Sequence, residues 1–259
     1  MEDREWTIPP AGPNTPPVLT ASVSRSPNLA PPAPHPELMR SLGQLVRGLS
    51  ALFWGLPAAL VVCFHTAKSD GFRSFGTIPP LACTGLLVYG LWQLGAFQKQ
   101  ERVWGSALDR ARILALINFG LSPFLYWSSR VPANPFFLAM VLLMAGSGLL
   151  FLAGLNVVLQ RLGAMLPDEA LRTETKQFTL LNLNLLLATF LVGGAYLALS
   201  RWQHLPPQLQ TLMTTLSERG NFWFFVLIIP LVLLPLAMTM ALLWKTKEVI
   251  LESVFESAR

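Results

Sequence analysis

Charge is scarce in this chain. Asp, Glu, Lys and Arg make up 13% of its 259 residues, about half of the ~25% found in a soluble domain. Histidine occurs three times (His35, His65, His204) and cysteine twice (Cys63, Cys83), with no zinc-type spacing among them. That excludes a disulfide framework or a metal cluster, and both cysteines read as small buried residues inside apolar runs. There is no P-loop, no HExxH and no paired-aspartate phosphatidyltransferase signature, so no cofactor, metal or catalytic set is expected. The opening residues, MEDREW, have neither the basic nor the apolar part of a cleaved signal peptide, so the first apolar segment is expected to direct its own insertion. The net charge of +5 is spread thinly between apolar runs. It makes no basic face of the kind a nucleic acid requires.

Apolar length is what the sequence has in quantity. Hydrophobic residues are 53% of the chain. Six apolar segments can be placed at 45–66, 78–97, 113–127, 136–159, 178–199 and 222–244. A helix needs roughly 20 residues to cross about 30 Å of hydrocarbon. The third segment is short and interrupted by Pro123, so its crossing is the open question. Charge decides it. With six crossings, twelve Lys and Arg near the membrane fall on one side, against Lys68, Arg73, Arg130, Arg201 and Arg219 on the other. If the third segment fails to cross, the split is nearly even. The positive-inside rule therefore favours an all-α, six-span bundle with both termini in the cytoplasm. Compact loops and the lack of a glycosylation sequon point to a bacterial inner membrane.

Residues 1–38 contain ten of the 21 prolines. With almost nothing to bury, they read as a disordered cytoplasmic tail preceding a transmembrane domain at 39–259. Trp92, Trp104, Trp127, Trp202, Trp223 and Trp244 lie near segment ends, as an interfacial belt requires, whereas Trp54 falls mid-segment. Two amphipathic helices are expected outside the spans. One covers 98–112, with Val103, Trp104, Ala107, Leu108 and Ala111 on one face; the other has Leu209, Leu212, Met213 and Leu216 on one face. A further helix is expected to start after Pro167, and the last one to extend through Val254 and Phe255.

All fourteen acidic residues lie outside the six segments, which argues against proton-coupled or ion-pumping chemistry. Gly146-Ser147-Gly148 resembles the nucleophile motif of rhomboid intramembrane proteases. Position 145 is Ala rather than Gly, however, and the sixth segment has no histidine to take the serine proton. Ser147 is better read as a small packing residue. The remaining polar chemistry is amide. Gln93, Asn118, Asn156, Asn182 and Asn184 are expected at one depth, near the cytoplasmic end of four helices. There they would form a hydrogen-bonded layer or the floor of a ligand site. Small residues repeat every four positions at Ala51, Gly55 and Ala59, and again at Gly194 and Ala198, as close helix packing demands. Pro57, Pro123, Pro230 and Pro235 mark kinks.

The first functional expectation is a non-enzymatic accessory, scaffold or interaction subunit, whose partners are the lipid bilayer and either another membrane protein or a second copy of itself. The alternative is a carrier or channel for an uncharged or lipid-like solute.

Overall fold

The structure, a computed structural model, describes residues 36–68, 74–97, 102–165, 169–201 and 229–252. The tail before residue 36, residues 98–101, the amphipathic stretch at 209–216, the first part of the sixth segment, Trp202 and Trp223, and the extension through Val254 and Phe255 lie outside the described residues. Apart from turns, the described residues are helical. They form α1 (Pro36–Lys68), α2 (Ile78–Leu94), α3 (Arg102–Leu121), α4 (Pro123–Arg130), α5 (Pro135–Met165), α6 (Glu169–Arg201) and α7 (Ile229–Glu252).

Proline sets several of the starts. It sits in the first turn of α2 and α4 and opens α5, where a missing N–H costs nothing. The Asn134 side chain caps α5 by accepting the Phe136 N–H at 3.0 Å. Gly76, with φ 61°, turns the chain into α2.

Four helices are long and apolar enough to cross a membrane: Arg40–Lys68, Pro135–Met165, Arg172–Ala195 and Ile229–Glu252. That is fewer than the six expected, and the second and third segments account for the difference. α2 has 17 residues, about 25 Å of helix, because it ends at Gly95. The Arg112 guanidinium of α3 closes it there, donating to the Leu91 carbonyl at 3.3 Å and the Trp92 carbonyl at 3.5 Å. A cation on the free carbonyls of a helix end is favourable for the helix dipole. The third segment is divided at Ser122 because Pro123 has no N–H to continue the ladder. Ser122 bridges the break, its own N–H donating to Asn118 and Phe119 carbonyls.

Five helices bury one stripe spaced alternately four and three residues apart, while α5 buries a broader face that includes Phe151, Leu152, Leu155, Asn156, Leu159 and Leu162. On α1 it is Leu45, Leu49, Leu52, Leu56 and Ala59; on α2 it is Thr84, Leu87, Leu91 and Leu94; on α3 it is Trp104, Leu108, Ala111, Ala115 and Asn118. α6 follows with Thr175, Thr179, Asn182, Leu186 and Thr189, and α7 with Thr239, Leu243, Thr246 and Ile250. A 3.5-residue repeat is the seam of left-handed, near-antiparallel helix packing. The opposite faces are apolar as well, with Leu180, Leu181, Leu187 and Leu191 of α6 exposed. A face that meets lipid has no reason to be polar.

The tightest crossing joins α1 and α2. A Cβ on Gly48 would stand 2.8 Å from the Gly90 carbonyl, and one on Gly90 2.9 Å from Leu52. Gly55 belongs to the same contact, facing Leu87. Of the other small residues singled out, Ala51 is half-buried and Ala59 is buried. Gly194 and Ala198 are exposed, with nothing within 4 Å of a Cβ on Gly194 among the described residues. The α6 stripe therefore faces away from the bundle.

Two tryptophans depart from the expected belt. Trp104 is buried in the α3 seam, because the amphipathic stretch and the third segment form one helix packed on α5. Trp54 is out of place only if the first span starts at residue 45. α1 packs antiparallel to α7, with the Phe53 ring 5.7 Å from Trp244. Trp54 thus stands at the level of Trp244.

Candidate functional site

The seams end where their residues become small. Ala59 of α1, Ala115 of α3, Ala145 and Gly148 of α5 and Gly193 of α6 leave space that α7 does not fill. The result is a cavity of about 530 Å3, inside the 300–1,000 Å3 range typical of small-molecule sites. Its wall draws on all seven helices, including Phe64 of α1, Leu87 of α2, Leu125 of α4, Met144 and Phe151 of α5, and Val232 and Leu236 of α7. Among the described residues no Asp, Glu, Lys, Arg or His contributes.

The few polar groups in the wall are already engaged. The Thr84 hydroxyl donates to the Pro80 carbonyl at 2.7 Å. The one Thr189 hydroxyl proton is shared between its own-helix Leu185 carbonyl at 2.8 Å and, across the interface, the Leu231 carbonyl at 3.0 Å. Leu231 is the residue whose carbonyl Pro235 leaves without a helical donor, and Thr189 offers it one. Asn118 gives one amide proton to Leu114 at 2.8 Å, and its oxygen accepts the Ser147 hydroxyl at 3.0 Å. Its second amide proton is the one left to meet a guest. Cys63, a free thiol, also lines the wall.

Directly beneath the cavity lies a polar node joining three helices. Asn156 of α5 donates to the Leu152 carbonyl at 2.8 Å and to Thr239 Oγ1 at 3.0 Å. Asn182 of α6 donates to the Pro235 carbonyl at 3.2 Å and to the same Thr239 oxygen at 2.9 Å. Thr239 in turn donates to Pro235 at 2.7 Å. Each amide presents its N–H groups to a backbone carbonyl, which can only accept. Their oxygens, with Thr179 Oγ1, are buried without a partner among the described residues. At the end of the bundle beyond the node, Lys245 pairs with Glu174.

The five amides are therefore not one layer. Asn118 is level with Ser147, and the nine residues from there to Asn156 separate the two sites by about 14 Å along α5. Asn118 sits so far in because α3 begins at Arg102, well before residue 113. Gln93 is half-buried beside Gly48, and Asn184 is exposed. Thr239 and Thr189 complete the polar contacts and were not among the expected residues. Their signal was the spacing of Thr175, Thr179, Asn182 and Thr189, a polar seam in an apolar helix. Among the described residues no group of three His, Cys, Asp or Glu could hold a metal ion. Neither a protein-family model, nor a curated protein, nor a solved structure matches this chain.

Proposed function

We propose that this chain is a six-crossing membrane protein that takes an apolar, lipid-like molecule into the cavity between its helices, as a carrier or binding protein. The observation that carries the proposal is the cavity itself: ligand-sized, walled by carbon, and set within the membrane-length helices. α2 and α4 belong to its wall through Leu87 and Leu125, which supports counting α2 and the α3–α4 pair as the second and third crossings. The positive-inside count then places both termini on the cytoplasmic side.

The competing phase for such a guest is hydrocarbon rather than water, so transfer of apolar area contributes little. Selection rests on shape and on the single amide proton of Asn118. Diazirine-bearing acyl chains, photolysed in reconstituted membranes, should label peptides containing Phe64, Met144 and Phe151. Labelling confined to outward residues such as Leu187 and Leu191 of α6 would sink the proposal.

A second reading, an interaction subunit, is favoured by the outward stripe of Gly194 and Ala198. A Gly194→Cys variant that forms a defined cross-link in native membranes would support it.

A further inference from the structure

Where α1 and α7 meet, the contact is aromatic. Phe53 packs edge-on to Trp54, ring centroids 5.4 Å apart, and tilted against Trp244 at 5.7 Å. Phe53 is half-buried, while Trp54 and Trp244 are 69% and 55% exposed. The rings thus border a shallow notch of about 20 Å3 whose remaining wall includes Ser50 and Lys247, room for about one water inside it and a surface for anything larger. The two lysines of this turn differ. Lys245 is held by Glu174, whereas Lys247 lies with its ammonium 5.7 Å from the Trp244 ring. Glu248 follows Lys247 but is turned about 100° around the helix. The Ser50 hydroxyl has no hydrogen bond among the described residues.

Both helices present the same order of chemistry from the bundle end inward. On α1 it is Arg47, Ser50 and Trp54, spaced so that all share one face. On α7 it is Lys247 and then Trp244. A glycerophospholipid presents the complementary order: phosphate, glycerol, methylenes. Trp favours the headgroup level, and Lys reaches from there toward phosphate.

We propose that the headgroup of an anionic phospholipid lies across the mouth of this notch, over its surface rather than inside it. Its phosphate lies between the Lys247 ammonium and the Ser50 hydroxyl, and its glycerol and first methylenes rest on the Trp54, Phe53 and Trp244 rings. The site is separate from the cavity and does not depend on the cavity's ligand.

The test uses the full chain in nanodiscs of mixed phosphatidylcholine and phosphatidylglycerol, with spin-labelled forms of each lipid reporting the motionally restricted fraction. The wild type should prefer phosphatidylglycerol. Lys247→Gln should lower that preference about fivefold, the weight of one cation near the lipid surface, and Lys247→Arg should keep it. Lys176→Gln, the same charge change at an exposed position on α6, should leave it intact. Trp54→Leu should weaken both lipids alike. Equal losses in Lys247→Gln and Lys176→Gln would overturn the proposal, because the effect would then be the general field of a basic surface. So would a wild type that does not discriminate. Unchanged thermal melting of Lys247→Gln excludes misfolding as the cause.

Discussion

Thr239 receives two amide N–H groups from two other helices on one oxygen. Replacing it with Val keeps the shape but strands both donors in a dry interior. The expected cost is about 1–3 kcal/mol for leaving such groups unpaired. Asn156→Leu and Asn182→Leu each remove an amide whose oxygen already lacks a partner, so each should cost nearer the roughly 0.6 kcal/mol average for a polar contact in a membrane bundle. Thermal or denaturant unfolding in detergent ranks the three. Thr239→Val as the mildest would contradict the node. The glycines give a second contrast. Gly48→Ala drives a methyl group toward the Gly90 carbonyl and should cost about 1–3 kcal/mol through overpacking. Gly194→Ala meets nothing among the described residues and should be neutral or stabilising by about 0.5–1 kcal/mol. Both glycines sit in apolar runs. Only the three-dimensional contact separates them, which is why the sequence pointed to Gly194 and passed over Gly48 and Gly90.

At the scale of elements, α7 and α6 are joined where Pro235 interrupts the backbone ladder of α7. Pro235 deprives the Leu231 carbonyl of its helical donor and Thr189 supplies another. With Pro235→Ala the helix can satisfy Leu231 itself, so Thr189→Val should cost less in that background than in the wild type. A double-mutant cycle should show coupling of about 1 kcal/mol, and strict additivity would contradict the link. The crossing number is tested by labelling single cysteines from one side of the membrane, with Cys63 and Cys83 replaced. Phe75→Cys and Ala133→Cys should label from the same side and Gly105→Cys from the other. Ala133→Cys labelling together with Gly105→Cys would mean that the α3–α4 pair does not cross. Apolar length and the proline break were legible as helices and as an irregular third segment. Which face of each helix points inward was not, because the lipid-facing leucines are as apolar as the core. Where an inward stripe is polar, as on α6, the four-three spacing was present in the sequence and could have been read.

For the molecule as a whole, the cavity is where the helices stop fitting one another, and that is the part sequence reasoning reached least. Amide residues suggested a polar floor. The structure instead has mainly carbon walls, with Asn118, Thr84 and Thr189 as their few polar points, and the other paired amides are buried about 14 Å from Asn118 along α5. The cavity follows from small residues on α1, α3, α5 and α6 falling at one level, a coincidence of register between helices that no single segment reveals. Two adjacent glycines allow a direct test. Gly193 lines the cavity and Gly194 faces outward, and neither has a heavy atom within 4 Å of a built Cβ among the described residues. Leucine should be tolerated at both, and only at 193 would it occupy the cavity. The decisive measurement is mass spectrometry of lipid released from the wild type, Gly193→Leu and Gly194→Leu after purification in mild detergent. An apolar lipid should come in near-stoichiometric amount with the wild type and Gly194→Leu and be lost in a folded Gly193→Leu. Equal lipid in all three, or none in the wild type, would contradict it.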